Sequence, residues 1–352
     1  MKIVPILFKY DYGKKERGVS LERLVILPAL EKNADIVSPF WLEDNGYPTD
    51  KKGLQIKILD FVDKENPDFV FFQLMRDEVT PKTIEILSKR YITINWFCDD
   101  QWRFETFTRF VAPKLTFSIT VDKYSIKKYE KIGCHDVILS QWAAPEYVEK
   151  INFNSLEYKY DISFIGGKNA TREYYINTLI KLGYNVVCFG HGWDNGSVSY
   201  EQMKEIFLHS RINLNLSNSF SYDKRVQKFI RNQLKKSLFK IKTLFSLEKL
   251  KRIKHYFSYH KTIKNVEQIK MRNFEIPACG GFQLTHYALS IEDFFLIGKE
   301  IAVFSNIDEL ARQVDFYLNN DEEREKIKIA GYKRAKEYTF EKKFEEIFKN
   351  LR

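Results

Sequence analysis

The sequence predicts two doubly wound α/β domains joined by a short linker. Short apolar runs alternate with helical stretches through both halves of the chain. Those runs are continuous rather than alternating with polar residues, as expected of parallel strands covered on both faces. The alternation lapses once, over residues 143–159, where polar and aromatic residues surround Pro145. A length of 352 residues is too great for most single cores, and 44% hydrophobic residues with 29 Phe and 20 Tyr can furnish two.

The first strand is predicted at Lys2–Phe8, an apolar run too short for a signal peptide and ended by Lys9. A helix over Leu21–Glu31 follows, then apolar Asp68–Leu74, a helix over Pro81–Lys89, and apolar Tyr91–Cys98 and Leu115–Val121. Lys123–Ile132 reads as a helix and Val137–Leu139 as a short strand. The first domain therefore spans residues 1–145 and the linker residues 146–160. The second opens on the strand Asp161-Ile-Ser-Phe-Ile-Gly-Gly167, and is predicted to run over residues 161–335. It continues through a helix at Arg172–Leu182, a strand at Asn185–Phe189, a helix at Tyr200–His209 and a strand at Arg211–Ser217. A helix at Phe274–Cys279 and a strand at Phe282–Thr285 complete the pattern. Pro277 suits only a first turn, so this helix is expected to start near Phe274 or Glu275, with Gly280-Gly281 as its stop. From Ile307 onward the tail reads as amphipathic helices, and residues 336–352 are expected to pack back toward the first domain.

Several classes are disfavoured. Neither half carries the Gly-x-Gly-x-x-Gly dinucleotide fingerprint or a Walker loop. Cys98, Cys134, Cys188 and Cys279 are far apart with no histidine at metal spacing, so no structural zinc is expected and a reducing, cytoplasmic setting is. No apolar stretch approaches the roughly 18 residues needed to cross a bilayer. The net charge of +10 is local: residues 224–264 hold fourteen Lys/Arg against Glu248 alone, a local +13 that leaves the remainder at −3. Within this insertion, placed at 220–264, Val226, Ile230, Leu234, Leu238, Ile241 and Phe245 recur three or four apart. That pattern predicts an amphipathic basic helix, with a second around Leu247–Tyr259. It is a candidate contact for an anionic membrane surface on the inner face, against the alternative of a hairpin packed on its own domain. No specific nucleic acid is expected.

Ligands of doubly wound sheets bind beyond the carboxyl ends of the strands. Gly166-Gly167 ends a predicted strand with Arg172 on the next helix, where glycine lets a backbone approach a phosphate and a cation assists. Gly190-His191-Gly192-Trp193 ends another, its small residues leaving room for a flat ring. Lys270 and Arg272 precede the short helix that carries Glu275, so free helix N–H groups and two cations face a diphosphate while Glu275 accepts from a ribose diol. In the first domain Asp99 and Asp100 follow an apolar strand beside Arg103, suited to sugar hydroxyls or to taking a proton, or to capping a helix. Tyr10, Asp11 and Gly13 form a second acidic loop after the first strand.

Phe274-Glu-Ile-Pro-Ala-Cys-Gly-Gly-Phe-Gln-Leu-Thr285, with Gly298-Lys-Glu-Ile-Ala-Val-Phe304 and Gly331-Tyr-Lys-Arg334, resembles the C-terminal domain of CgeB-like (spore maturation protein) glycosyltransferases. The likeness extends through Ser163-Phe-Ile-Gly166, Phe189-Gly190, Gly192-Trp193 and Ile212-Asn-Leu-Asn215. The resemblance implies a GT-B fold, two Rossmann-like domains facing a cleft, and metal-independent transfer from a UDP- or GDP-sugar to a glycan or lipid-linked acceptor with no resident cofactor. Donor binding would fall to Gly166, Gly167, Arg172, Gly190, His191, Trp193, Lys270, Arg272 and Glu275, and the acceptor side to Tyr10, Asp11 and Gly13. Lys270 and Arg272 would stabilise the departing diphosphate, and Asp100, or its neighbour Asp99, would orient the acceptor or act as base. Glu275 occupies the second position of a Glu-x7-Glu signature; Glu267 falls eight residues earlier, but Gln268–Phe274 are not the small, glycine-containing loop of that signature, so the first Glu's sugar-binding role is not carried across. The alternatives are a nucleotide-sugar epimerase of the same fold, and a non-catalytic nucleic-acid or membrane-binding protein that uses the basic insertion.

Overall fold

A computed structural model describes residues 1–147, 151–216, 221, 223–242 and 266–351. Side chains of 154 and 234–242 are outside that description, as are the expected second basic helix over 247–259 and the end of the strand expected to reach Ser217. The chain divides into two units, Met1–Pro145 with Thr339–Arg352, and Glu146–Tyr338.

The first unit is built on a seven-stranded sheet in the order β2-β1-β4-β5-β6-β7, with β3 also on β1. Its strands are β1 (Lys2–Leu7), β2 (Ile36–Val37), β3 (Phe40–Trp41), β4 (Phe69–Phe72), β5 (Ile92–Phe97), β6 (Phe117–Thr120) and β7 (Val137–Leu139), all paired parallel. The central strands are buried on both faces: Ile3, Val4, Ile6 and Leu7 of β1 and all four residues of β4. One face is covered by the last helix of the chain, Phe340–Asn350. Phe344 meets Phe71 and Trp96 at ring distances of 5.5 and 5.4 Å, and Phe348 meets Phe69 at 5.6 Å. A 15-residue helix, Lys51–Glu65, lies where the sequence reading placed none. Leu54, Ile58 and Val62 form its buried stripe and Asp50 caps Gly53 N–H.

The second unit holds a five-stranded parallel sheet in the order β12-β11-β10-β8-β9. Its strands are β8 (Tyr160–Ile165), β9 (Val186–Phe189), β10 (Ser210–Asn215), β11 (Gln283–His286) and β12 (Ala302–Phe304). On one face Ile162, Ile212, Leu214 and Leu284 enter the main core. The other face is polar yet buried. Ser210 Oγ donates to Ser163 Oγ (2.8 Å) and Ser163 Oγ to Asn213 Oδ1 (3.0 Å). Asn213 Nδ2 donates to the carbonyls of Phe207 and Phe282, and Asn215 Nδ2 to Gln283 Oε1 at 2.8 Å. Alternation along a strand sends Ser163, Asn213, Asn215 and Gln283 to one side, toward the helix before β11, and Ser210 joins them from the start of β10.

Two expectations about the chain between the strands are corrected. Residues 146–160 are no passive linker: Tyr147 OH contacts Tyr200 OH at 2.6 Å, and Lys328 Nζ donates to Tyr158 OH at 2.8 Å. Aromatic side chains at the start of the second unit found partners inside it. The short helix begins at Arg272, running Arg272–Ala278, so Pro277 lies in its interior rather than its first turn. Proline leaves the carbonyl four residues earlier without its N–H. That carbonyl, Asn273 O, accepts from Gln283 Nε2 at 3.0 Å instead.

Candidate functional site

Two glycine loops interlock at the carboxyl ends of the neighbouring strands β8 and β9. Gly166 N–H donates to Phe189 O and Lys168 N–H to His191 O, both at 2.8 Å. Gly190 has φ +122°, and a Cβ there would lie 2.5 Å from Gly166 O. The space at Gly190 is therefore filled by the first loop's backbone and is not a slot for a ring, as the sequence suggested. Trp193 is spent in the same way: its indole N–H donates to Gly166 O at 2.8 Å and its ring packs edge-on to Phe164. Arg172 Nε donates to Leu216 O at 2.8 Å and Nη1 to Gly167 O at 2.6 Å, so its guanidinium bridges the ends of β8 and β10. His191 contributes its carbonyl and its side chain is exposed. Gly167 differs from the others. Among the described residues, the nearest atom that a Cβ there would meet is His191 O at 3.9 Å, an ordinary contact, and its φ is not in the left-handed region, so neither packing nor backbone conformation demands glycine.

The second group forms around the Arg272–Ala278 helix. Arg272 pairs with Glu275 three residues on, and its side chain remains 27% exposed while that of Glu275 is 2% exposed. Arg272 Nη1 also touches Met203 Sδ, and the guanidinium lies 5.2 Å over the Phe207 ring. Burial pushes the Glu275 carboxyl above its ordinary range, opposed by Arg272 and the Tyr200 hydroxyl. Its Oε1 is buried without a hydrogen-bond partner. An acceptor so placed is costly unless a donor arrives. The expected row of free helix N–H groups is absent: Asn273 donates to Lys270 O, and Phe274 and Glu275 to Met271 O, each at 2.9 Å. A turn that precedes the helix consumes them. Lys270 sits on that turn, partly exposed, with its N–H on Asn273 Oδ1 at 2.9 Å. Ile165, one residue before Gly166, packs in the cluster of Met203, Phe207, Ile276 and Cys279, which ties the two groups to one scaffold.

Glu267 does not join Glu275. It lies 3.2 Å from His286 Nδ1, and His286 Nε2 lies 3.2 Å from Tyr175 OH. Both Glu267 and His286 are buried, and burial drops the imidazole to about 4, so it is neutral at ordinary pH.

In the first unit the paired aspartates part company. Asp100 is 1% exposed. It accepts from Thr108 Oγ1 (2.6 Å), Thr120 Oγ1 (2.6 Å) and Tyr129 OH (2.7 Å). This ties the segment after β5 to β6 and to the helix Ile126–Lys131. The expectation that Asp100 leads the pair at substrate is corrected, because both of its oxygens are committed inward. Asp99 is half-buried in a shallow pocket with Leu74, Met75, Phe97, Arg103 and Phe107. After β1, Arg17 holds Asp11 at 2.7 Å. Gly13 has φ +72°, and Glu43 accepts the N–H groups of Lys9 and Tyr10. Sequence reasoning missed Glu43 and also Glu22, which is 8% exposed with burial pushing it to about 7. The signal was present: Glu22 shares the helical stripe of Val25, Ile26 and Ala29, which are all buried.

Two parallel Rossmann-like units with this strand order place the chain in the GT-B fold class. Residues 241–349 match the family model described as glycosyl transferase-like. Among solved structures, the chain is similar to Anabaena HepE, solved in complex with UDP and glucose, at 10% identity, with a TM-score of 0.64 over 100% of this chain and 99% of that one. It is also similar to a sucrose-phosphate synthase from Thermosynechococcus elongatus at 9% identity, with a TM-score of 0.60 over 99% and 98%. A glycosyltransferase from Rickettsia africae ESF-5 matches at 11% identity, with a TM-score of 0.52 over 99% and 98%. No curated protein sequence matches the chain.

Proposed function

We propose that the protein is a glycosyltransferase that moves a hexose from a UDP- or GDP-sugar held by the second unit to a glycan or lipid-linked acceptor held by the first. One observation carries the reading: Glu275 keeps a buried carboxylate oxygen without a donor beside the partly exposed Arg272. A ribose diol supplies the missing donors. Gly167, where even a Cβ would make no contact closer than 3.9 Å among the described residues, supports close approach of the diphosphate. The family match over 241–349 and the fold support the glycosyltransferase class, and the resemblance read from the sequence supports a CgeB-like branch within it.

When the bond between the sugar and the diphosphate breaks, negative charge builds on the departing phosphate. Lys270 and Arg272 are the cations assigned to it, and fixed charges of this kind contribute several kcal/mol to such steps. In this reading no resident metal is needed. Asp99 is the half-buried carboxylate assigned to orient the acceptor hydroxyl, with Tyr10 and Asp11 as further acceptor-side contacts.

UDP or GDP at a hundredfold excess over Kd is expected to stabilise the protein by about 2.7 kcal/mol, read as a raised Tm. Glu275→Gln keeps the side-chain volume and should abolish most of that protection. A full-length, folded protein whose melting ignores both nucleotides, or whose turnover stops on adding a chelator, would sink the proposal.

A further inference from the structure

The pocket that Asp99 shares with Arg103 lies at the carboxyl ends of β4 and β5 and holds about 220 Å³ of space open to solvent. Sites that enclose a whole small molecule run to roughly 300–1,000 Å³, so this one admits a single end group rather than a length of chain. Leu74, Met75, Phe97 and Phe107 give it an apolar lining. Two amides of the sheet are anchored on that lining at one end only. Gln73 Nε2 donates to Cys98 Sγ at 3.3 Å, and Asn95 Oδ1 accepts from Leu74 N–H at 2.9 Å. Cys98 and Leu74 both border the pocket, while Gln73 Oε1 and Asn95 Nδ2 are buried with no hydrogen-bond partner among the described residues. Buried amide atoms left in this way lose stability until a ligand or water reaches them.

Arg103 is held in place without being neutralised. Its N–H donates to Asp99 O at 2.9 Å, and its guanidinium lies 4.7 Å from the centre of the Phe107 ring and 5.5 Å from that of Trp102. Asp100, three residues back, ties the segment to β6. Arg103 is half-buried, yet its side chain makes no hydrogen bond and no ion pair among the described residues, whereas Arg109 pairs with Glu105 at 2.8 Å. Contact with rings satisfies none of the five N–H donors of a guanidinium. Glu78 feels the Arg103 charge but forms no ion pair with it. Burial pushes the Glu78 carboxyl above its ordinary range, toward the neutral form.

We infer that this pocket binds the acceptor through an anionic group, a carboxylate or a phosphate, seated on Arg103, with a nearby hydroxyl of the same residue on Asp99. The planar fork of arginine matches two oxygens of either anion. A neutral sugar leaves that fork unmatched, and an ammonium group would be repelled by it. The inference rests on the transferase reading and narrows its acceptor to one with an acidic end residue.

The test is calorimetric titration of the full chain with two matched pairs of probes: methyl glucuronide against methyl glucoside, and glycerol 3-phosphate against glycerol. At least one acidic probe is expected to bind about tenfold or more tightly than its neutral match, and Arg103→Gln should remove that preference. Arg103→Lys, which keeps the charge but not the fork, should retain part of it. Preference for the glucuronide alone assigns a carboxylate, and for glycerol 3-phosphate alone a phosphate. Both variants should keep the parent's Tm and its protection by nucleotide. Three results would overturn the inference: no binding of either acidic probe at millimolar concentration, equal binding of acidic and neutral probes, or an undiminished preference in folded Arg103→Gln. A parent chain that ignored nucleotides yet kept an Arg103-dependent preference would sink the transferase reading and leave the anion site standing.

Discussion

Gly167 and Gly190 sit on interlocked loops, yet different constraints fix them. Gly190 cannot accept a side chain because the Gly166 carbonyl occupies the place of its Cβ, whereas a Cβ at Gly167 would make only an ordinary contact, 3.9 Å from His191 O, among the described residues. Gly167→Ala should therefore keep the fold or stabilise it by about 0.5 kcal/mol, while weakening nucleotide protection in a thermal-shift assay. Gly190→Ala should cost about 2 kcal/mol or more in urea unfolding. If Gly167→Ala bound nucleotide as well as the parent, that loop would have no part in the site. Asp100 gives a second residue-scale prediction. Burial raises it from 3.8 to about 6, although three hydroxyls oppose the shift. A raised folded-state pKa favours the protonated native form, so this stability is fully present below about pH 4 and is lost as pH rises through about 6. A rise of that size corresponds to roughly 3 kcal/mol at most. Asp100→Asn should remove that part of the pH dependence in unfolding followed at pH 4 and pH 7; an unchanged profile would mean that Asp100 is not the group titrating. The sequence announced two adjacent carboxylates after a strand and could not say which would turn inward. Thr108, Thr120 and Tyr129 decided that, and they are 8, 20 and 29 residues away.

At the scale of elements, the strands were legible because buried parallel strands read as unbroken apolar runs, as at Phe69–Phe72. The Lys51–Glu65 helix escaped notice because its six apolar residues are scattered among lysines and acids and only Leu54, Ile58 and Val62 form a buried stripe, although Asp50 was a readable cap. The Arg272–Ala278 helix was found but started too late, since a proline in a helix interior is ordinarily excluded. Its tolerance comes from Gln283, a partner on β11 that local sequence rules do not see. Gln283→Leu should leave Asn273 O buried and unpaired and break the contact with Asn215, costing about 1–3 kcal/mol. Hydrogen exchange should locate the loosening at residues 272–278. Protection that stayed unchanged there would show that other contacts hold the helix.

For the whole molecule, two doubly wound domains followed from alternation and one lapse in pattern, both properties of composition along the chain, whereas the GT-B class followed from the family resemblance. The candidate donor-side residues were picked out through glycines, cations and the family resemblance, but the structural work that some of the candidates do was not legible: Trp193 and Arg172 lock loops, and Asp100 braces a core. The boundaries also hide a crossing. The chain leaves its first unit after Pro145 and returns at Thr339, so the first unit is made from both ends of the sequence. Phe344→Ala should cost about 3–5 kcal/mol and lower the cooperativity of the first unit's unfolding, because the ring bridges Phe71 and Trp96. A loss below about 1 kcal/mol would show the helix to be a dispensable cover.

That crossing also bears on biosynthesis. About 190 residues must be translated between Pro145 and the returning helix, which at roughly 5–20 residues per second is on the order of 10–40 s. Throughout that interval the nascent sheet presents Phe69, Phe71 and Trp96 without their aromatic lid, a sticky surface that a chaperone would have reason to shield until Phe344 and Phe348 have emerged.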